Sequence, residues 1–141
     1  MANEAVLVEF DSWPSDFTVA DATAITKGAI CKMTDPRTAA IATNGPVAVA
    51  GIAARDKVAS DGRTNLGMYH SGKFLVYLSG ACAIGDPLMV SALATTYPNY
   101  VQAAGITASG AFTIGFAEVT GTNGEQILMR LQPGTAGGAI S

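Results

Sequence analysis

The chain has 141 residues, of which 49% are hydrophobic and only 13% charged, and its net charge is −3. That length fits one domain able to bury a core without disulfides or metals, and the charged fraction is well below the ~25% usual for soluble domains. Four lysines and four arginines are scattered without a basic stripe, which argues against a nucleic-acid partner, and no apolar run nears the roughly 18 residues of a membrane-spanning helix.

The N-terminus lacks a basic region followed by an apolar stretch and a cleavage site, so the expectation is synthesis in a reducing cytoplasm. The charge deficit has two readings. One is extensive contact with subunits or a partner, because large exposed apolar patches mark interaction sites. The other is a well-packed monomer with a Thr, Ser and Gly surface. The first carries more weight.

In chain order, Val6, Val8 and Phe10 alternate with Leu7 and Glu9, which predicts an extended first segment. Asp11 to Asp16 breaks it, and Pro14 keeps Trp13 out of a helix. Thr18 to Ala24 reads as a short strand or a connector. Thr26-Lys27-Gly28 is a turn, Ala29 to Met33 a strand, and Asp35-Pro36-Arg37 a second turn. Asn44-Gly45 between two apolar runs, Ala39 to Thr43 and Val47 to Ala53, predicts a hairpin. Ala54 to Arg63 has room for one helical turn, ended by Asp61-Gly62.

Thr64 to Tyr69 and Lys73 to Leu78 read as a second hairpin with the polar tip His70-Ser71-Gly72. Phe74, Val76 and Leu78 share one face of the second run, and Leu75 and Tyr77 the other. Both faces are apolar, so both need cover, and in a small chain another subunit can supply it. Gly85-Asp86-Pro87 turns into Leu88 to Ser91, and Ala92 to Tyr100 is ambiguous between helix and strand. Ala111 to Val119 and Gln126 to Gln132 are the last strands, and Pro133 to Ser141 is a Gly-rich tail. Turns this frequent favour an all-β sandwich or barrel.

A weak internal echo is present. Ala24-Ile25, a turn and Ala29-Ile30-Cys31 resemble Ala83-Ile84, a turn and Leu88-Met89-Val90; Val47 to Ala53 resembles Phe112 to Ala117. Two related β-units around one core would explain it; so would chance among short apolar strands.

Chemistry is sparse. His70 is the single histidine and sits at a predicted turn tip, a poor place for the rigidly held base of a triad. Asp56, Asp61 and Asp86 fall in or beside turns, where Asp is favoured for local hydrogen bonds. Gly134 to Gly138 lacks the Lys-Ser/Thr ending of a phosphate loop. Cys31 and Cys82 read as small buried hydrophobes, a disulfide between them being disfavoured in a reducing compartment. Trp13 reads as a packing anchor ahead of a ligand-stacking residue. No enzymatic activity, cofactor or metal is expected.

Three stretches carry a resemblance: Gly51 to Gly62, Gly67 to Phe74, and Ser79 to Leu88. From about Phe17 to Leu131 the chain resembles the head decoration, or capsid cement, proteins of tailed bacteriophages. Trp13-Pro14 and the connection from Ala92 to Ser109 depart from the pattern. The resemblance implies a small tulip-like β-barrel with at most a short helix, assembled as a homotrimer on the major capsid protein, on the outside of the virion. Residues 1–16 would be an extended arm, 17–132 the barrel domain and 133–141 a flexible tail.

The candidate capsid or subunit interface is Val6, Leu7, Val8, Glu9, Phe10, Trp13, Leu75 and Tyr77. Val6 to Phe10 would add as a strand to a neighbouring chain, or else serve as the first strand of its own barrel. The alternative function is a carbohydrate- or host-binding β-module on a virion, with Trp13, Tyr97 and Tyr100 as stacking residues.

Overall fold

Ile25, Lys57, Cys82 and Gly121 each form an isolated β-bridge, and one spacer later each is followed by a two-residue turn: Lys27-Gly28, Ala59-Ser60, Ile84-Gly85 and Asn123-Gly124. The second turn residue has φ of 83°, 59°, 87° and 85° respectively. Glycine adopts that left-handed geometry without strain, and three of the four positions are glycine. The bridges pair Ile25 with Lys57 and Cys82 with Gly121. The sequence therefore writes one local device four times and joins the copies in two pairs.

The computed structural model of the protein describes residues 5–9, 13–42, 48–91, 99–103 and 112–135. It is all-β, with no helix among the described residues. The first strands are β1 (Val6–Glu9), β2 (Ser15–Thr18), β3 (Ile30–Asp35), β4 (Thr38–Ile41), β5 (Val49–Ala53) and β6 (Asn65–Tyr69). Then come β7 (Gly72–Leu78), β8 (Pro87–Val90), β9 (Tyr100–Ala103), β10 (Phe112–Ala117) and β11 (Gln126–Thr135).

Two small barrels result. The first closes in the order β2-β4-β3-β5-β6, and the second in the order β7-β9-β8-β10-β11. The pairings match strand for strand: β2–β4 and β7–β9 are parallel, and every other neighbouring pair is antiparallel. Register gives residue equivalences. Cys31 faces Gly51 as Leu88 faces Gly115, and Ala53 faces Met68 as Ala117 faces Met129. The backbone bonds repeat as well: Gly28 N donates to Ala53 O at 2.9 Å, and Gly85 N to Ala117 O at 2.7 Å.

The internal echo is thus a duplication of structure, with one adjustment. Gly51 and Ala53 match Gly115 and Ala117 as read from the sequence, but Ile25 matches Cys82, two residues before Ile84. The expected single core is two. Val19, Ile25, Ala29, Cys31, Ala39, Ala50, Ala53, Leu66 and Met68 fill the first barrel. A larger cluster fills the second and spreads into the junction through Ile30, Val49, Ile52, Ala42 and Ala5. All five residues of β5 are buried, because its two faces serve the two clusters. Each large aliphatic side chain buried there contributes about 1.5–3 kcal/mol.

Both predicted hairpins are corrected. Among the described residues β6 pairs with β2 and β5, whereas β7 pairs with β1, β9 and β11. His70-Ser71-Gly72 is therefore the passage from one barrel to the other. Asn44-Gly45 lies outside the described residues, but β4 and β5 on either side of it both pair with β3. The Pro36-Arg37 turn has already made β4 the hairpin partner of β3, so β5 takes the other edge. Ala54 to Arg63, which has room for one helical turn, holds the Lys57 bridge and the Ala59-Ser60 turn instead. The span 17–132 holds two barrels, with β2 starting at Ser15 and β11 running to Thr135.

Candidate interaction surface

The N-terminal arm reaches across the junction. Ala5 N donates to Gly28 O of the first barrel at 3.0 Å, and Val6, Leu7 and Glu9 then pair with Leu75, Phe74 and Lys73 of β7. β7 has room for it because β9 occupies only Tyr77 and Leu78 on that edge. Val6 thus stands beside Leu75, while Leu7 and Phe74 share the other face of the sheet. Leu7 packs on the second core, while Val6 and Val8 are exposed. Phe10 lies outside the described residues. In this chain the arm is a strand of its own second sheet.

Tyr77 stacks on Tyr100, with ring centroids 5.5 Å apart and planes 17° from parallel. Tyr100 is buried, so its ring is not open to a sugar; Tyr97 lies outside the described residues. Trp13 stands before β2 with 81% of its surface exposed. His70 is exposed on the linker between the barrels.

Beside the arm runs a chain of charges. Lys73 Nζ lies 3.6 Å from Glu9 and 3.3 Å from Glu118, whose other oxygen is 3.0 Å from Arg130 Nε. The Arg130 guanidinium sits 5.4 Å over the Phe116 ring. Glu9, Lys73 and Arg130, with Ser71, Gly72, Leu131 and Gln132, border a shallow polar cavity of about 430 Å³. All its charged groups are partnered, so it offers no free charge to a substrate.

Lys57 is the one fully buried cation among the described residues. Its ammonium donates to Asp21 O at 2.7 Å, Val58 O at 3.1 Å and Asp61 Oδ1 at 3.2 Å. Asp61 also accepts from the backbone N–H groups of Arg63 and Val58. The Arg63 N–H first, then the Lys57 ammonium, hold its carboxyl below the usual range. At the matching turn of the second barrel Glu125 accepts from Thr122 N at 2.6 Å and Thr122 Oγ1 at 2.9 Å. Those bonds lower its pKa in the same way. Asp86 accepts from Ala83 N at 2.9 Å. Asp61 and Asp86 are thus turn acceptors, and Asp56 accepts from Lys27 N at 2.6 Å.

Cys31 and Cys82 are free, and they occupy different cores. Burial pushes the Cys31 thiol up to about 12, and burial likewise raises Cys82. Both stay protonated and unreactive at neutral pH.

The sequence reading missed the turn end of the second barrel. Ile84 is 67% exposed and Val119 38% exposed. Ile84 N bonds Thr120 Oγ1 at 3.0 Å, which ties the Ile84 turn to the segment that carries Val119. A large apolar residue beside a turn glycine was the available signal.

No protein-family model matches the chain, and no curated protein matches it. A solved structure does: the N base of head fiber gp8.5 of bacteriophage phi29, at 13% identity. The alignment covers 90% of this chain and 95% of that one, with a TM-score of 0.53. The likeness shows the fold, and it agrees with the all-β barrel architecture expected from the phage-head resemblance.

Proposed function

We propose that the protein is a non-catalytic component of a tailed-phage head. It is a decoration protein that binds the outer surface of the major capsid protein lattice and ties neighbouring subunits together. It works as a homotrimer on the virion exterior, after synthesis in the host cytoplasm. The observation that carries this reading is the likeness, over nearly the whole of both chains, to a base domain from a phage head fiber. The charge-poor composition and the exposed apolar side chains Val8, Trp13 and Ile84 support it.

The physical logic is multivalency. A shell under pressure from packaged DNA opens at its subunit junctions. Many copies of a small protein, each with a modest contact, resist that opening because linked contacts raise effective concentration. A contact of roughly 1,000 Å² per copy suffices for specific binding. Co-sedimentation with undecorated shells tests the binding, and light scattering of the free protein tests the trimer. Failure to bind shells overturns the reading.

A further inference from the structure

The duplication provides an internal template for an unfilled site. In the first barrel Gly28 is buried, because the arm lies over it and Ala5 N donates to Gly28 O. In the second barrel the equivalent residue, Gly85, is exposed, and its carbonyl has no donor among the described residues. The frame around both glycines is the same. Gly28 N and Gly85 N donate to Ala53 O and Ala117 O; Ala53 N and Ala117 N donate back to Ala29 O and Asp86 O, each at 2.9 Å. The surroundings differ. Exposed Lys27 and Arg55 flank the covered site, whereas Ile84 and Val119 stand at those positions beside the bare one.

We propose that the turn end of the second barrel, around Ile84, Gly85 and Val119, is the docking surface for an extended segment of the major capsid protein. The template specifies its chemistry: a small residue over Gly85, its backbone N–H on the Gly85 carbonyl, and apolar side chains against Ile84 and Val119. A second copy of this chain has no arm to spare. Its Ala5 is bound to its own Gly28, and Val6 to Glu9 to its own β7. This assignment rests on the proposed function and names the surface that performs it.

The test compares the full-length protein with Ile84→Lys/Val119→Arg, which gives the second barrel the side-chain types the first already carries at those positions. Both sites are exposed, so the thermal midpoint should not move, and a fall in it is read by repeating the assay with each single substitution. Val58→Lys, at another exposed apolar residue, controls for added charge. The double variant is expected to bind undecorated shells about tenfold more weakly or worse, with the control binding like the natural protein. If the natural protein does not bind shells, both this surface and the proposed function fall. If natural protein and double variant bind alike, or the control weakens as much, the surface falls and the function stands. If the double variant loses self-association at unchanged shell affinity, a second copy is the occupant and the proposal is overturned.

Discussion

Gly51 and Gly115 hold the same position in the two barrels, and each lies flat against a backbone carbonyl, that of Tyr69 and that of Arg130. A Cβ at either site would drive into that oxygen, which belongs to the neighbouring strand and cannot swing away as a side chain would. Gly51→Ala and Gly115→Ala are each expected to destabilise the protein by about 3 kcal/mol or more. Gly80→Ala, where a Cβ meets open space, should cost only the ~1 kcal/mol of its left-handed backbone. Urea unfolding of the three variants checks the order.

Ser60 is the odd member of the four turns. Its counterpart Gly124 has φ of 85°, and Ser60 holds a side chain at 59°. Ser60→Gly should raise stability by roughly 0.5–1 kcal/mol, the relief of a left-handed residue less the added freedom of the unfolded chain. Gly124→Ser should lower it. Matched thermal scans read both.

Acid should loosen the turns before it reaches the cores. Asp61 and Glu125 have folded pKa values below their ordinary 3.8 and 4.5. A depressed carboxylate pKa contributes stability that is complete above the unfolded value and lost as pH falls through the folded one. Stability should therefore hold level above about pH 5 and decline below about pH 4. Asp61→Asn and Glu125→Gln should flatten that decline, as denaturant midpoints across the acid range would show. Both carboxylates are solvent-exposed, so the effect shrinks in salt.

Ile52 tests whether the barrels unfold together. It is fully buried on the outward face of β5 and belongs to the cluster that fills the second barrel. Ile52→Ala should cost about 2–5 kcal/mol. Fluorescence at Trp13, beside the first barrel, and at the stacked Tyr77 and Tyr100 in the second should report one shared transition. Two separate transitions would mean that the junction does not couple the barrels.

Local chemistry was readable in the chain; long-range pairing was not. Glycine and proline marked Lys27-Gly28 and Pro36-Arg37 and placed the Ile84-Gly85 turn one residue late, and alternation marked β7 to within one residue and β11 to within three. The hairpin errors share a cause. Adjacency in sequence suggested that β6 should pair with β7, but each already had partners on both edges from distant segments. The duplication showed only as a weak echo because few residues repeat: Gly51 with Gly115 and Met68 with Met129 do, but the counterpart of Lys57 is Gly121. What persists between the halves is backbone geometry, which side-chain patterns record only where glycine is required. The arm was legible as a strand, while its partner β7, about 70 residues on, was not.

Purified virions put the central claim to the most direct test. Quantitative mass spectrometry should find this chain in a fixed ratio to the major capsid protein, and mild denaturant should strip it from the outside while leaving the shell intact. Particles that carry none of it, or carry it in amounts that vary with preparation, would contradict a role in the head.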